Sequence, residues 1–372
     1  MSETEPTLPE LRAEIDQVDA EIQALIVRRS RCAEAVARVK MASLDASNEL
    51  DATLFYRPER EAQVLREVLK RELGPVNPEG MTRLFREIMS LCLSLEQPLR
   101  VGYLGPQGTF TEAAAMKHFG QAVEGVALAT ISEVFREVEA GAAHYGVVPV
   151  ENSSEGMVNH TLDCFTRSKL TICGEVELRI HHHFLKSATT QVGNISRVYG
   201  HEQTLAQCRQ WLDAHYPRIE RIAVSSNGEA ARRVKGEWHS AAIAGDIAAT
   251  RYELDYIANN IEDNPDNTTR FLIIGRQQLE PTGEDKTSVI VATKDRPGAL
   301  YKLLEPLMEH GISMTRLETR PSNVTKWSYV FFIDFEGHQQ DQNVQAALSA
   351  IEAQSMQVRR LGSYPKSVLG VV

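Results

Sequence analysis

A polar loop meets an apolar strand at Asn267-Thr268-Thr269-Arg270-Phe271. The turn-prone run 259–266 precedes this sequence, and the apolar run 271–274 continues it. A buried strand fixes the backbone while the loop leaves access for a ligand, so the junction is a favourable place for chemistry. Arg270 offers a planar guanidinium that can bind a carboxylate through two parallel hydrogen bonds. The alternative is a strand edge whose polar side chains only satisfy nearby backbone groups.

Strand and helix patterns alternate along the chain up to this junction. Strands are expected at 100–104, 145–150, 198–200, 219–224 and 241–244, and helices at 111–119, 131–141, 203–214 and 230–235. Such alternation predicts mixed or parallel sheets with helices on both faces. The length of the region indicates two lobes, with a ligand cleft at the carboxyl ends of the strands.

The region before Pro98 has a helical period instead. Apolar residues recur at three- and four-residue steps over 11–39 without Gly or Pro, which predicts one unusually long helix. A loop over 44–53 and two shorter helices, at 58–73 and 81–95, should follow. Two short helices cannot cover the apolar stripe of so long a helix, so the sequence predicts an intertwined helical dimer.

The composition narrows the classes of partner. The 372 residues include 50 acidic and 40 basic side chains, a formal net charge of −10, which repels nucleic acid and anionic membranes. The five cysteines are scattered and form no Cys-x-x-Cys, which argues against a disulfide framework or a zinc ribbon. The acidic N-terminus and the lack of a long apolar run indicate a cytoplasmic protein.

A polar linker at 277–286 separates the α/β region from a C-terminal unit. Its predicted order is a strand, a helix, two strands, a helix and a strand, at 287–293, 299–310, 313–319, 327–335, 344–353 and 357–362. This βαββαβ order is the ferredoxin-like plan.

The loop–strand junction, with its Asn-x-Thr-Arg-Phe pattern, resembles the signature of the prephenate dehydratases. The runs 105–110, 149–156 and 199–203 also resemble cleft motifs of that family. The resemblance implies a two-lobed, periplasmic-binding-protein-like α/β domain over 99–276 that converts prephenate to phenylpyruvate. It marks Thr269 as the catalytic threonine and adds three cleft residues, Glu151, Asn152 and Ser153. Arg270 is the candidate carboxylate clamp.

The helical region, taken as 8–97, resembles the helical chorismate mutases of bifunctional enzymes. On an ideal helix Arg29 and Lys40 point within about 20° of each other and lie about 16 Å apart, so both can reach one anion. The resemblance implies carboxylate-binding arginines at Arg12, donated across the dimer, and Arg29, an ether-oxygen lysine at Lys40, a further arginine at Arg60 and a hydroxyl-binding glutamate at Glu61. Cys92 and Glu96 form an i, i+4 pair on the third helix.

Two positions depart from the best-known enteric pattern of that family. An aspartate would stand at Arg57 and a glutamine at Glu96. A carboxylate would repel an oxyanion that develops in the reaction, whereas a carboxylic acid could donate a hydrogen bond to it. Because burial raises the pKa of a carboxyl group while nearby cations lower it, we hypothesise that mutase activity depends on neutral Glu96.

The C-terminal unit, taken as 287–366, resembles an ACT domain. Two sequences match the phenylalanine-binding motifs of that family, Pro297-Gly298-Ala299-Leu300 and Glu318-Thr319-Arg320-Pro321, although Thr319 stands where serine is usual. The resemblance implies that L-phenylalanine is an effector bound between paired domains.

The run His181-His182-His183 suggests a metal site, but in a strand only the first and third share a face, and no third ligand stands at a recognisable spacing. A structural role is therefore favoured.

Together these features predict a homodimer or larger homo-oligomer that acts on chorismate and prephenate, needs no cofactor and is inhibited by phenylalanine. Two alternatives stay open, a non-catalytic ligand-binding sensor and a dehydratase whose helical region only dimerises.

Overall fold

A computed structural model describes residues 6–42, 56–293, 296–321 and 329–368. The predicted loop over 44–53 lies outside these ranges. Among the described helices, none has an apolar stretch long enough to span a bilayer.

Three helices form the N-terminal region: α1 (Leu8–Ala42), α2 (Pro58–Leu69) and α3 (Pro78–Glu96). The prediction of one very long helix is confirmed, whereas α2 ends earlier than expected. The Asn77 side chain caps α3 by accepting a hydrogen bond from the Gly80 amide, 2.6 Å away. Although α1 packs against α3, its apolar stripe stays open, and Ile15 and Leu25 are 58% and 62% exposed. Such a stripe is typical of a surface that another chain covers.

The first lobe of the α/β region is built on a mixed sheet. Its strands are β1 (Arg100–Leu104), β2 (Glu124–Leu128), β3 (Tyr145–Asn152), β4 (Gly156–Met157), β5 (Thr171–Arg179) and β11 (Thr268–Gly275), and its helices are α4 (Phe110–Phe119), α5 (Ile131–Glu139) and α6 (Asn159–Arg167). The order is β2-β1-β3-β11-β5, with β4 beside β3. Strands β1, β2 and β3 are parallel, and β11 runs antiparallel to both neighbours.

The second lobe is inserted between β5 and β11. Its strands are β6 (His183–Ser187), β7 (Arg197–His201), β8 (Glu220–Val224), β9 (Ser240–Ala244) and β10 (Leu254–Ala258), and its helices are α7 (Glu202–Gln207), α8 (Arg209–His215), α9 (Asn227–Lys235) and α10 (Asp246–Tyr252). The order is β10-β6-β9-β7-β8. The chain therefore crosses between the lobes twice, at 180–182 and at 259–267. The helix predicted over 203–214 is interrupted at Cys208.

The C-terminal domain has the predicted βαββαβ order. It consists of β12 (Asp285–Ala292), α11 (Ala299–Glu309), β13 (Met314–Pro321), β14 (Tyr329–Glu336), α12 (Gln342–Gln354) and β15 (Gln357–Pro365). The sheet order is β13-β14-β12-β15. Its two helices pack on one face around Val289, Val291 and Ile333. The opposite face carries Ile290, Phe332 and Tyr364, which join the core of the first lobe.

Candidate active sites and effector site

A cleft of about 580 Å³ separates the two lobes of the α/β region. Its lining includes Asn152, His182, Gln207, Asn267, Thr269 and Phe271. Thr269 is half-buried, immediately before the buried part of β11, and lies opposite Asn152 on β3. The loop–strand junction identified from the sequence therefore faces a cavity large enough for a small organic acid.

The Asn152 amide orients the hydroxyl of Thr269. Its Nδ2 donates to Thr269 Oγ1 at 2.8 Å and to Asn267 Oδ1 at 2.9 Å. Its Oδ1 accepts from the backbone amides of Ser154 and Glu155, at 2.9 and 3.0 Å. Because backbone amides can only donate, the orientation of the Asn152 side chain is chemically fixed. Thr269 Oγ1 therefore accepts from Asn152, and its own proton is available to a ligand.

The structure contradicts the carboxylate clamp predicted at Arg270. Successive residues of a strand point to opposite faces, so Arg270 points away from the cleft that Thr269 lines. Its guanidinium is buried and bonds Glu175 through Nε at 2.9 Å, Asp334 through Nη1 at 2.8 Å and the Tyr364 hydroxyl through Nη2 at 3.1 Å. Arg270 instead joins the first lobe to the C-terminal domain.

Glu151 and Ser153 also lie outside the cleft lining, contrary to prediction. Glu151 points toward the C-terminal domain and forms an ion pair with Arg316 of β13 at 2.9 Å. The Ser153 hydroxyl accepts a hydrogen bond from the Thr268 backbone amide at 2.9 Å. Of the three predicted residues on this segment, only Asn152 lines the cleft.

The cleft lining contains no Lys or Arg among the described residues. The expectation of a carboxylate held by a guanidinium is therefore wrong for this cavity. Hydroxyl and amide side chains line the cleft instead, among them Ser226 and Asn227 at the start of α9.

Replacing Arg270 by methionine tests the corrected role. Loss of a carboxylate clamp would raise the KM for the substrate by about 100-fold or more. We expect instead a KM within about threefold of the parent and a clear fall in melting temperature, because the change removes the guanidinium from the buried Asp334 and leaves the buried Glu175 with Lys286 alone. Arg179→Met, which removes an exposed ion pair with Asp266, should leave the melting temperature almost unchanged.

Gln207 and His182 are among the cleft residues that were missed as site residues. Gln207 lies at the end of α7, four residues beyond the noted motif 199–203. His182 belongs to the histidine run considered for a metal, and the described residues contain no group of three metal ligands. His181 Nδ1 lies 2.7 Å from Glu262, and His182 Nε2 lies 2.9 Å from Gln207 Oε1. Burial lowers the pKa of His182, so its ring is neutral.

A second cavity, of about 480 Å³, lies among the N-terminal helices. It brings together seven of the predicted mutase residues: Arg29, Lys40, Arg57, Arg60, Glu61, Cys92 and Glu96. Arg12 is exposed near the start of α1 and is absent from this lining. Its predicted role is as a donor from the partner subunit, which a single chain does not test.

Burial raises the pKa of Glu96, while Lys40 and Arg29 act in the opposite direction. Glu96 Oε2 is buried and has no hydrogen-bond partner within the described part of the chain. Both features favour the protonated carboxyl group on which the sequence hypothesis depends.

Glu61 is held by a residue that the sequence reading did not single out. Its Oε1 lies 3.2 Å from Arg86 Nε, and Arg86 Nη1 donates to the backbone oxygen of Lys117 at 3.1 Å. Burial raises the pKa of Glu61, and Arg86 opposes that effect. Arg86 therefore links the mutase cavity to α4 of the first lobe.

The two predicted effector motifs lie on different elements. Gly298 precedes α11 with φ of 79°, a conformation that favours glycine, and Ala299 and Leu300 open the helix. Glu318, Thr319, Arg320 and Pro321 end β13, an edge strand of the sheet. Arg320 Nη2 contacts both carboxylate oxygens of Asp163 on α6, at 2.8 and 3.0 Å. The second motif is thus tied to the first lobe.

Comparison with known proteins agrees with this arrangement. Family models match three consecutive regions: chorismate mutase type II at 11–97, prephenate dehydratase at 101–279 and ACT domain at 287–353. The bifunctional chorismate mutase/prephenate dehydratase of Pseudomonas aeruginosa is 58% identical, over 97% of this chain and 98% of that protein. The protein of the same name from Stutzerimonas stutzeri is also 58% identical, over 99% of this chain and 100% of that protein.

Among solved structures, the prephenate dehydratase of Arthrobacter aurescens in complex with L-Phe is 34% identical and superposes with a TM-score of 0.68. The match covers 74% of this chain and 92% of that one. With all three domains matched in order, and with relatives that span its length, the chain belongs to the bifunctional chorismate mutase/prephenate dehydratase family.

Proposed function

We propose that this chain rearranges chorismate to prephenate in the helical cavity and converts prephenate to phenylpyruvate, carbon dioxide and water in the cleft between the lobes. Membership of the bifunctional family supports both steps. The observation that carries the proposal is the presence of two separate cavities with different chemistry in one chain. One contains the cations Arg29, Lys40 and Arg60, and the other contains the oriented hydroxyl of Thr269.

The mutase step requires orientation more than reactive groups. A [3,3] rearrangement breaks a carbon–oxygen bond and forms a carbon–carbon bond within one molecule, so no nucleophile is needed. Arg29 and Arg60 can hold the flexible dianion in its bent form, which removes much of the entropic barrier. Lys40 and protonated Glu96 can donate to the ether oxygen as it gains negative charge.

The dehydratase step requires help to a leaving hydroxyl. The bond from the ring to its carboxylate breaks, its electron pair enters the ring, and the hydroxyl departs with the electrons of its own bond. The ring becomes aromatic, the carboxylate leaves as carbon dioxide, and a proton from solvent completes the water. Thr269 is too weak an acid to release its proton, but its O–H can donate a hydrogen bond to the departing oxygen. The substrate carboxylates meet neutral hydroxyl and amide donors.

We infer that the assembly is a homodimer or larger homo-oligomer in the cytoplasm, with domains over 8–97, 99–276 and 287–366. The exposed apolar stripe of α1 supports pairing through the helical region, and a partner's copy of α1 could then bring Arg12 to the cavity. Phenylalanine is proposed to bind the C-terminal domain and to favour a less active arrangement, because a ligand shifts only an equilibrium whose states it distinguishes. Three ion pairs between the first lobe and the C-terminal domain supply a physical connection: Arg270–Asp334, Glu151–Arg316 and Asp163–Arg320.

A coupled assay with chorismate tests the proposal. The purified chain should form prephenate and then phenylpyruvate, and added phenylalanine should reduce the second product. Binding of prephenate without turnover would support a sensor instead. Turnover of prephenate without any rearrangement of chorismate would assign the helical region to dimerisation alone.

A further inference from the structure

We propose that His182 is a positioning residue for the dehydratase reaction, which anchors through its Nε2 a hydrogen-bond network that ends at the Thr269 hydroxyl. The inference rests on the proposed dehydratase function of the cleft. His182 is 1% exposed and lies where the chain crosses from the first lobe to the second. Its ring packs edge-on against Phe110, with centroids 5.4 Å apart.

The hydrogen-bond network runs from His182 through three amide side chains, those of Gln207, Asn267 and Asn152. His182 Nε2 lies 2.9 Å from Gln207 Oε1, and Asn267 Nδ2 lies 3.3 Å from the same oxygen. Asn152 Nδ2 then bonds Asn267 Oδ1 and Thr269 Oγ1. Residues from both lobes therefore hold the catalytic hydroxyl.

In every hydrogen bond of this network, the contacts at its two ends determine which group donates and which accepts. At one end, the backbone amides of Ser154 and Glu155 require Asn152 to present its oxygen to them and its nitrogen to Asn267. At the other end, Gln207 Nε2 donates to the Glu155 carboxylate at 3.4 Å, so Gln207 Oε1 faces His182. An amide oxygen can only accept, which requires a proton on His182 Nε2.

The neutral ring carries one proton, so His182 Nδ1 carries none. This nitrogen is buried and has no hydrogen-bond partner among the described residues. No acceptor among them therefore favours the tautomer with its proton on Nδ1. With Nε2–H in place, a flipped Gln207 amide would set its nitrogen, a donor, against the donor of His182. A flipped Asn267 amide would set its oxygen against Gln207 Oε1, so that two acceptors meet. The Thr269 proton consequently has no acceptor among the side chains of this network and points to a ligand.

Substitution by glutamine or asparagine separates this role from simple packing. A glutamine amide nitrogen can occupy the place of imidazole Nε2, whereas an asparagine amide nitrogen corresponds to Nδ1. We expect His182→Asn to lower the dehydratase kcat by about 10- to 100-fold with little change in KM, as for other residues that orient a catalytic group. His182→Gln should stay within about threefold of the parent. His181→Asn, which changes the neighbouring histidine, is the matched control and should retain parental kcat.

A double-mutant cycle with Gln207→Ala distinguishes an effect transmitted through Gln207 from a general disturbance of the cleft. If His182 acts through Gln207, then His182→Asn should lower kcat by less than about threefold in the Gln207→Ala background. Equal losses in the Gln and Asn variants, parental kcat in both, or fully additive losses in the cycle would each overturn the proposal. Absence of prephenate turnover by the parent chain would instead refute the dehydratase function.

Discussion

Thr269→Ala is expected to lower the dehydratase kcat by about 100-fold or more, the usual cost of losing one hydrogen-bond donor to developing negative charge. The structure explains why a single hydroxyl matters so much. Asn152 occupies the acceptor side of Thr269 Oγ1 at 2.8 Å, so the hydroxyl is already turned toward the leaving group before substrate arrives. Rearrangement of chorismate should stay within about twofold of the parent, because the mutase cavity contains no residue of β11.

Two controls define what the Thr269 measurement means. Thr269→Ser keeps the hydroxyl and should recover most of the activity, within about tenfold of the parent. Thr268→Ala changes the adjacent threonine, whose hydroxyl only reaches the backbone oxygen of Asp266 at 3.4 Å, and should behave like the parent. Separate assays with chorismate and with prephenate provide the readout. Dehydratase turnover by Thr269→Ala that matches the parent would remove Thr269 from the reaction.

The elements with strong periodicity were predictable from the sequence. The long helix α1 and the βαββαβ order of the C-terminal domain are present because helical and alternating apolar patterns persist over many residues there. Strand β5 was missed because Gly174 and the buried Glu175 interrupt its apolar pattern. Glu175 is tolerated in the interior only because Arg270 and Lys286 bind its two oxygens at 2.9 and 2.7 Å. Those partners are distant in sequence, so local patterns could not predict them.

The direction in which each site residue points was harder to predict than its location. Thr269 and Arg270 are neighbours on one strand, so they could not both face the cleft, and the same alternation separates Asn152 from Glu151. Helix geometry predicts that Arg29 and Lys40 share a face of α1 and that Cys92 and Glu96 share a face of α3, and the structure brings these four side chains to one cavity. His182 and Gln207 meet only through the packing of the two lobes, for which neither segment carries a sequence signal.

The two cavities recognise negative charge by different physical means. The helical cavity is lined by Arg29, Lys40, Arg57 and Arg60, whereas the described lining of the cleft contains no Lys or Arg. A site rich in cations lowers the pKa of any carboxyl group within it, yet Glu96 has a raised pKa because burial outweighs Lys40 and Arg29. We therefore expect the pH dependence of mutase activity to follow the protonation of Glu96.

Mutase kcat/KM is expected to fall about tenfold per pH unit above the raised pKa of Glu96. Below that pKa the carboxyl group is protonated and can donate to the ether oxygen. Above that pKa the Glu96 carboxylate repels the negative charge that develops on the ether oxygen. Four cations also face the cavity, Arg29 and Lys40 on α1, Arg57 just before α2 and Arg60 within it, but they do not restore the lost donor. Glu96→Gln keeps a donor that does not titrate, so its profile should be flat over the same range.

A pH–rate profile from about pH 5 to about pH 9 on the parent and on Glu96→Gln measures this directly. Glu61 is the other carboxyl group in the described lining of the cavity, so Glu61→Gln is the matched control. That variant can lose activity at every pH, but it should keep the alkaline decline, because Arg86 engages Glu61 and the Glu96 carboxyl group is unchanged. A flat parental profile would disprove the requirement for neutral Glu96. If the alkaline decline in mutase kcat/KM persists in Glu96→Gln and disappears in Glu61→Gln, the group that titrates is Glu61 rather than Glu96.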